Sequence, residues 1–420
     1  KLLEGETPAA VSELRILDPA CGSGSFLIGA YQRLLDWHLG WYADHLVPLL
    51  EAGAPETSKD VRALLPESYN TTANSTAGGA GNGRRRGRGR PRKSSTRASA
   101  TQTGQFPIFQ ASGGEWRLTT AERKRILLNN IYGVDIDLQA TEVTKLSLQL
   151  KVLEGENQET LSRQLTLFHD RALPDLGENI KCGNSLIGPD FYDGQTSLFD
   201  EEEMYRVNAF DWEAEFPEIM SRGGFDAVIG NPPYGAYLHE AEKPYLNFTY
   251  TCQSYQLDSY LLFLEKSLKR LLKFGGLYGM IIPNPWLTNL LQNKIRRLVT
   301  NKTRIIEIVH FKYPVFPKVT VDTEIVILQR SNPDDWTAQV TIAKSCDEFV
   351  DRNSNSAIAQ IFHEQQKWID KNGDVINIFM DSSETDLVEK CVRRCYPLSE
   401  LCAINVGIKP YQSGKGKPPQ

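Results

Sequence analysis

The sequence predicts an α/β fold built on a mostly parallel sheet with helices on both faces. Short apolar runs alternate with longer segments of helical periodicity, which is the pattern of successive strand–helix–strand units. The two final strands, Arg304–Val309 and Thr323–Gln329, have no helix between them and therefore predict an antiparallel pair at one edge. The chain has 420 residues, 40% of them apolar, which is enough for a sizeable core.

The first half of the chain supplies three strands and two helices. Apolar residues at helical spacing identify the helices, and short apolar runs that lead into glycine or aspartate identify the strands. We predict strands at Leu14–Asp18, Asn130–Asp135 and Asn179–Cys182, and helices at Ser25–Trp41 and Leu138–Leu153.

The second half starts with a clear strand signal. Phe225–Gly230 (FDAVIG) is an apolar run rich in residues that favour strands, and it ends abruptly at an asparagine and two prolines. Before the final antiparallel pair we predict a helix at Leu257–Phe274, a strand at Tyr278–Ile282 and a helix at Leu287–Thr300.

Residues 41–117 differ in composition from the segments on either side. Gly, Ser, Thr and Arg dominate, and such a composition buries too little apolar surface to fold. We therefore predict a low-complexity basic insertion at 41–117, which divides one α/β domain into residues 1–40 and 118–330. The helix and strand pattern weakens after residue 330, so residues 331–420 are predicted to be a separate region.

Charge and cysteine content narrow the class of protein. Arg84–Arg97 contains eight basic residues and no acidic one, although the net charge of the chain is −5, and such a stretch favours a polyanionic partner. Seven cysteines without framework spacing are typical of a reducing compartment. Glycines and prolines interrupt the longest apolar run, so no membrane span is expected. Three loosely spaced cysteines lack a nearby histidine, so we predict no metal site.

Four of the predicted strands end in residues suited to a ligand. Ligands of open α/β sheets bind at the carboxyl ends of the strands. The first strand ends in DPACGSGSF, where Gly22 and Gly24 let the backbone approach a ligand closely. The second ends in GVDID, whose Asp135 can accept both hydroxyls of a ribose, and the third ends in GNSL, whose Asn184 can hydrogen-bond an adenine edge. The fourth ends in NPPY.

The glycine motif fits neither of two common nucleotide sites. A dinucleotide-binding loop needs a third glycine three residues after Gly24, where this chain has Leu27, and a phosphate-binding P-loop needs a following Gly-Lys-Ser/Thr. A tight turn without function explains each motif taken alone. Four such motifs on successive strands favour a nucleoside pocket.

The NPPY motif predicts a site for a planar amino group. Pro232 and Pro233 remove two N–H donors and hold φ near about −65°. The Asn231 side-chain oxygen and the Pro232 carbonyl remain as rigid acceptors. Two such acceptors can hold the hydrogens of an aryl amine, turn its lone pair toward an electrophile and ease the positive charge that develops. Tyr234 can stack on the ring.

A second aromatic residue is expected to face Tyr234 across a flipped-out base. The segment between the last two strands, HFKYPVFPKVT, offers Phe316 with lysines beside it. Packing in the core is the alternative role for Phe316.

Taken in order, DPACGSGSF, GVDID, GNSL, NPPY and VFPKVT resemble the adenine-specific DNA methyltransferases of the gamma class. The sequence is most similar to the methylase region of type IIG restriction-modification enzymes, and the resemblance covers most of residues 12–330. It implies a Rossmann-like S-adenosylmethionine-dependent methyltransferase fold and methyl transfer to the exocyclic N6 of adenine. It also implies a monomeric cytoplasmic enzyme that acts on double-stranded DNA.

The resemblance assigns roles to individual residues. Asn231, Pro232, Pro233 and Tyr234 are the expected catalytic residues, and Phe316 joins Tyr234 in stacking on the target base. Residues 406–418 resemble the entry to a target recognition domain, so 331–420 is expected to contain a linker and the start of that domain. The expected cofactor-binding residues are Asp18, Ala20, Gly22, Gly24, Asp135, Ile136 and Asn184.

Two other functions stay open on the sequence. A protein glutamine methyltransferase, or another amino-group methyltransferase, also uses NPPY on a planar amide, but it has no need of a basic insertion. A non-catalytic DNA-binding module is the third interpretation, and the intact pocket motifs argue against it.

Overall fold

The structure is a computed structural model whose main feature is one large sheet. It describes Val315 and residues 2–55, 58–70, 106–111, 113–154, 173–193, 206–252, 257–312, 322–332, 335–343, 359–370, 375–380 and most of 384–402. Within these residues nine strands form the large sheet and two form a separate hairpin. The strands are β1 Ile16–Asp18, β2 Ile108–Gln110, β3 Trp116–Leu118, β4 Ile131–Asp135, β5 Ile180–Cys182, β6 Phe225–Gly230, β7 Leu272–Pro283, β8 Thr303–Phe311, β9 Thr323–Arg330, β10 Thr337–Ala343 and β11 Ala359–Glu364.

The strand order of the large sheet is β11-β10-β8-β9-β7-β6-β1-β4-β5. Neighbours from β5 to β7 are all parallel, with β1 in the centre between β4 and β6. Parallel strands that are covered on both faces carry continuous apolar runs rather than an alternating pattern. Five of the six residues of β6 are buried, as this rule requires. The predicted α/β fold with a mostly parallel sheet is confirmed.

The antiparallel pair β8–β9 forms as predicted, but it does not lie at the edge of the sheet. β9 lies between β7 and β8 and is antiparallel to both. β10 then adds parallel to β8, and β11 adds antiparallel to β10. The sheet therefore continues to Glu364, past the boundary predicted at residue 330. β10 was not predicted, although its polar residues alternate with apolar ones (TAQVTIA), a pattern that is typical of a half-buried strand.

Helices cover both faces of the sheet. One apolar core contains Ile16 and Ala227, and a second contains their neighbours Leu17 and Val228, so successive residues of a strand point to opposite sides. The helices are α1 Pro8–Val11, α2 Ser25–His45, α3 Val47–Glu51, α4 Lys59–Ala63, α5 Glu67–Asn70, α6 Thr120–Asn130, α7 Leu138–Leu153, α8 Trp212–Glu215, α9 Pro217–Ser221, α10 Lys243–Thr249, α11 Ser259–Lys266, α12 Pro285–Thr288, α13 Asn293–Lys302, α14 Gln365–Asp370 and α15 Leu398–Leu401.

The predicted helix at Leu257–Phe274 is too long. The α-helix α11 changes to a π turn at Ser267–Leu271, and β7 begins directly at Leu272. Gly275 and Gly276 lie inside this strand, where Gly275 has a φ of +83° and a Cβ on Gly276 would lie 3.0 Å from the Lys273 carbonyl oxygen. The bulge beside β6 therefore requires glycine, a residue that otherwise indicates the end of a strand.

The predicted helix at Leu287–Thr300 is broken into two helices joined by a 3-10 turn. The break has a clear cause in the buried side chain of Arg296. Its Nη1 donates to the carbonyl oxygens of Trp286 at 2.8 Å and Asn289 at 2.7 Å, which satisfies carbonyls at the end of α12. The Asn289 side chain accepts from the Leu291 N–H and starts the following turn.

The ordered structure extends into both ends of the predicted insertion. α2 continues to His45, α3 to α5 follow it, and the hairpin of β2 and β3 precedes α6. Val61, Leu65 and Tyr69 are buried in the same core as α2. The boundaries predicted at 41 and 117 therefore do not match the structure, because short apolar segments at each end pack against α2. The basic stretch, within 71–105, lies outside the described residues.

A buried carboxylate holds the end of this packed segment. Glu122 accepts hydrogen bonds from the hydroxyls of Tyr42 and Tyr69, each at 2.8 Å, and forms an ion pair with Arg125 at 2.7 Å. Burial alone would raise the pKa of Glu122, but the Arg125 guanidinium, together with His38 and the Tyr69 hydroxyl, lowers it. Glu122 thus joins α2, α5 and α6 at one point. No described helix is both long enough and apolar enough to cross a membrane.

Candidate active site

The predicted site residues converge at the carboxyl ends of four neighbouring strands. β5, β4, β1 and β6 are adjacent in the sheet, and the motifs GNSL, GVDID, DPACGSGSF and NPPY follow them in that order. The motifs were expected to share one end of the sheet, and the strand order brings them together. Phe316 is outside the described residues, so its predicted place opposite Tyr234 stays a prediction.

Asp18 is the last residue of β1 and is almost fully buried. Its Oδ1 accepts from the Ala20 N–H at 3.1 Å, and the loop turns over it toward Gly22. Burial raises the pKa of the Asp18 carboxyl to about 7, and the nearby charge of Asp135 adds to this effect. A positively charged ligand group beside this buried carboxyl would stabilise its ionised form.

Gly230, the residue before Asn231, lies directly beside Asp18. A Cβ at this position would be 2.6 Å from Asp18 Oδ1, and its φ of +149° also favours glycine. The close approach brings the end of β6 against the end of β1. Asn231, the first acceptor residue of NPPY, therefore directly follows the glycine that lies against the Asp18 carboxyl.

Asp135 has both carboxylate oxygens oriented by backbone amides. Oδ2 accepts from the Gly22 N–H at 2.8 Å, and Oδ1 accepts from the Asp137 N–H at 3.0 Å. These bonds tie the glycine loop to β4 and fix the carboxylate while leaving further lone pairs for ligand hydroxyls. Ile136 follows with its side chain 51% exposed, which gives an apolar surface beside the carboxylate.

The glycine loop needs glycine at two positions. Gly22 and Gly24 have φ values of +53° and +83°, and a Cβ on Gly24 would be 2.8 Å from the Thr144 side chain. The Thr144 hydroxyl donates to the Gly22 carbonyl oxygen at 2.8 Å. α7 therefore supports the loop from below, a contact that sequence analysis did not predict.

The side-chain oxygen of Asn184 accepts a hydrogen bond within its own loop. Oδ1 accepts from the Leu186 N–H at 3.1 Å, so the oxygen closes a turn and the Nδ2 amide remains to contact a ligand. Neighbouring residues that sequence analysis missed fix this loop. The Ser185 hydroxyl donates to the Pro19 carbonyl at 2.6 Å, and Asn208, with a φ of +47°, donates from Nδ2 to the Ile136 carbonyl at 3.3 Å. Each contact joins motifs far apart in the sequence.

The Tyr234 side chain contacts the first residue of its own NPPY motif. Its hydroxyl is close to two acceptors, Asn231 Oδ1 and the Ile281 carbonyl oxygen, the second at 3.0 Å, and it donates to one at a time. Burial raises the pKa of Tyr234, and the ring packs edge-on against Tyr260. The Asn231 acceptor predicted to hold an amine is thus in contact with the tyrosine hydroxyl.

A shallow apolar depression of about 420 Å³, largely open to solvent, lies on the sheet face beside α2. It is lined by Ser25, Phe26, Gly29, Ala30, Ile229 and Gly279. This lining offers few polar partners for a nucleoside, so the depression does not replace the strand-end site. Among the described residues, no group of histidine, cysteine or acidic side chains could hold a metal ion.

Two curated relatives match about half of the chain. The type II restriction enzyme and methyltransferase RM.Eco57I of Escherichia coli is 29% identical over 242 residues, 56% of this chain and 22% of its own length. The adenine-specific methyltransferase PglX of Streptomyces coelicolor is 22% identical over 222 residues, 53% of this chain and 12% of its own length. The chain thus spans about a fifth or less of these relatives.

Two solved structures share a remote likeness. The modification subunit of a putative type I restriction enzyme from Vibrio vulnificus has a TM-score of 0.44 and 14% identity, with 90% of this chain and 57% of that chain covered. The EcoKI M protein has a TM-score of 0.43 and 13% identity, with 95% and 72% covered.

The model of one protein family matches residues 129–316. The matched segment runs from the start of β4 through NPPY, and its description agrees with the resemblance found in the sequence. Residues 129–316, somewhat less than half of the chain, are therefore similar to the Eco57I restriction-modification methylase family.

Proposed function

We propose that the protein is a site-specific DNA methyltransferase. It transfers a methyl group from S-adenosylmethionine to the exocyclic N6 amine of a flipped-out adenine, as part of a restriction-modification system. One observation carries the proposal: the NPPY acceptors begin one residue after Gly230, which lies against the buried Asp18 carboxyl on the neighbouring strand. Cofactor and amine can therefore meet at one end of the sheet. The adenine-specific name of one relative supports the choice of base.

The strand-end residues fit S-adenosylmethionine. The buried Asp18 carboxyl, whose pKa is raised to about 7, suits the ammonium of the methionine part. Asp135, fixed by two backbone amides, suits the ribose hydroxyls. The exposed Ile136 side chain suits one face of the adenine ring, and Asn184 Nδ2 suits its edge. When bound, S-adenosylmethionine supplies an electrophilic methyl group on a sulfonium.

The residues of NPPY act on the target amine. Asn231 Oδ1 and the Pro232 carbonyl accept its two hydrogens, because the prolines leave acceptors and no donors on this part of the backbone. This orients the lone pair and eases the positive charge on nitrogen as the new bond forms. The Tyr234 hydroxyl must leave Asn231 Oδ1 when the amine binds. Its ring then stacks on the base, together with Phe316.

DNA is the proposed partner, and the basic stretch Arg84–Arg97 adds contacts to its phosphates. We further propose that the protein acts as a cytoplasmic monomer. The chemistry at NPPY does not require a second copy of the chain.

The test incubates the protein with labelled S-adenosylmethionine and either DNA or a protein extract. Nucleoside analysis should find N6-methyladenine within one sequence context. Label in protein glutamine, or N4-methylcytosine in the DNA, would overturn the proposed substrate.

A further inference from the structure

The backbone around Tyr234 depends on partners outside its own loop. Pro232 and Pro233 have no N–H groups, so the NPPY loop cannot close its own hydrogen-bonded turn through these two residues. Gly235 has a φ of +58°, in the left-handed region that favours glycine, so the chain turns directly after Tyr234. Two side chains from that helix start, Asp258 and Ser259, contact the loop on both sides of Tyr234.

Ser259 bridges the loop with a single hydroxyl. Its Oγ donates to the Pro233 carbonyl oxygen at 2.5 Å and accepts from the Ala236 N–H at 3.2 Å. The side chain is 2% exposed, so water cannot readily replace either bond. One buried hydroxyl therefore fixes the residue before Tyr234 and the second residue after it.

Asp258 makes the third contact. It occupies the N-cap position of α11, where the Tyr260 N–H of the first turn lies close enough to its carboxylate to oppose the rise in pKa that burial causes. Its Oδ1 accepts from the Gly235 N–H at 3.1 Å. One carboxylate thus joins the start of α11 to the residue that follows Tyr234.

These contacts hold the backbone and leave the Tyr234 side chain to move. The bonds engage the main chain of Pro233, Gly235 and Ala236, whereas the Tyr234 hydroxyl touches Asn231 and the Ile281 carbonyl. Rotation about the side-chain torsions can therefore carry the ring from Asn231 to a base without a change in the loop.

We propose that Asp258 and Ser259 are positioning residues that hold the loop at residues 233–236, so that the Tyr234 ring stacks on the flipped base while Asn231 keeps its place. The inference rests on the proposed function. The hydrogen bonds of both residues to the loop go to its backbone, so both are proposed to act through Tyr234 and Asn231.

The test compares two matched pairs of variants in the full protein. Ser259→Ala removes the bridge and Ser259→Thr keeps a hydroxyl, while Asp258→Ala removes the acceptor and Asp258→Asn keeps one. Ser267→Ala is the control, because Ser267 is also buried in the same helical segment and its hydroxyl has no hydrogen-bond partner among the described residues.

Three measurements are made on each variant: the single-turnover methylation rate at saturating DNA, S-adenosylmethionine affinity by calorimetry, and fluorescence of 2-aminopurine at the target position. Ser259→Ala and Asp258→Ala should lower the rate by about tenfold to a hundredfold, since small misplacements of reacting groups cost this much. Both should change the fluorescence that reports stacking on Tyr234. Ser259→Thr and Asp258→Asn should recover most of the rate, and cofactor affinity should stay within about threefold.

Each result decides the proposal. Wild-type protein that forms no N6-methyladenine overturns the proposed function, and the positioning role with it. If the wild type methylates DNA but the Ala variants match Ser267→Ala in rate and fluorescence, the positioning role alone is wrong. Should Ser259→Ala fail to fold, the half-buried Asp258 pair carries the same test, and equal rates for Asp258→Ala and Asp258→Asn would overturn the role.

Discussion

At the scale of single residues, the proposed site would place the cofactor-binding and the target-binding side chains on different strands. Asp135, at the end of β4, is held by amides of the glycine loop and of its own turn, whereas Asn231 follows β6, on the other side of β1, and contacts Tyr234. Substitutions at the two positions should therefore have different consequences.

Asn231→Ala should lower methyl transfer by about a hundredfold to a thousandfold, because one of two oriented acceptors is lost. Its S-adenosylmethionine affinity should stay within a few-fold. Asp135→Ala should weaken cofactor binding by about tenfold to a hundredfold through loss of charged hydrogen bonds. Calorimetry and single-turnover assays on both variants measure the difference. An Asn231→Ala protein that no longer binds cofactor would show that the roles are wrongly assigned.

In the proposed site, the Tyr234 ring stacks on the base, whereas its hydroxyl contacts the Asn231 Oδ1 that the amine would use. Tyr234→Phe keeps the stacking surface and removes the hydroxyl that contacts Asn231, so its transfer rate should stay within about threefold of wild type. Tyr234→Ala should lose about tenfold to a hundredfold, the usual worth of stacking on a base. Steady-state kinetics with a short duplex tests both. Equal losses in the two variants would assign the hydroxyl, not the ring, to the reaction.

Asp18 should make the unliganded protein less stable as pH rises. The pKa of Asp18 is about 7 in the folded state and 3.8 ordinarily. The folded protein therefore holds this proton more tightly than the unfolded chain does. The stabilisation that results is fully present below about pH 4 and is lost as the pH rises through 7. The shift corresponds to a loss on the order of 4 kcal/mol. Asp18→Asn should therefore be more stable than wild type at pH 8 and should bind cofactor more weakly. Denaturant unfolding at pH 5 and pH 8 checks this, and parallel pH profiles would contradict it.

At the scale of elements, Glu122 is the point where α2, α5 and α6 meet. Glu122→Gln leaves the Arg125 guanidinium, which is 11% exposed, without its counter-charge. We expect a loss of about 3 kcal/mol in the free energy of unfolding, because removing one partner of a buried pair leaves an unpaired charge. Glu142→Gln, which removes the exposed carboxylate of a pair with the partly buried Lys145, is the control and should change stability by less than about 1 kcal/mol. If both variants lowered the melting temperature equally, the burial of Glu122 would add nothing to the stability of the protein.

At the scale of the whole molecule, the net charge of −5 coexists with eight basic residues in Arg84–Arg97. The segment GRGRPRK within it resembles a minor-groove-binding AT-hook, and a solvated basic linker is the alternative. In either case it should add salt-dependent affinity for DNA that is independent of sequence.

Replacing residues 70–105 with a short Gly-Ser linker should flatten the dependence of DNA affinity on salt. The methylated sequence should not change, because base readout depends on groove contacts elsewhere. Fluorescence anisotropy at several salt concentrations gives the slope, and sequencing of methylated sites gives the specificity. An unaltered slope would exclude a DNA-binding role for this segment.

The sequence by itself determined the fold class and the order of motifs at the strand ends. Strands and turns follow from local properties: the apolar run of FDAVIG, the φ that Gly22 and Gly24 allow, and the missing donors of the two prolines. Such properties act over a few residues, so a single sequence reveals them. The interruption between α12 and α13 was not predicted, because it depends on the buried Arg296 side chain. This side chain reaches back to carbonyl oxygens seven and ten residues earlier.

Only the tertiary structure decided which side chains meet. β9 lies between β7 and β8, Tyr69 reaches Glu122, and Ser259 closes on Pro233 and Ala236. None of these contacts has a local signature: Asp258 and Ser259 have the sequence pattern of a helix cap, and Glu122 has that of a surface residue of a charged helix. Their partners depend on how distant elements pack, and that packing follows from burial over the whole sheet rather than from the preferences of neighbouring residues.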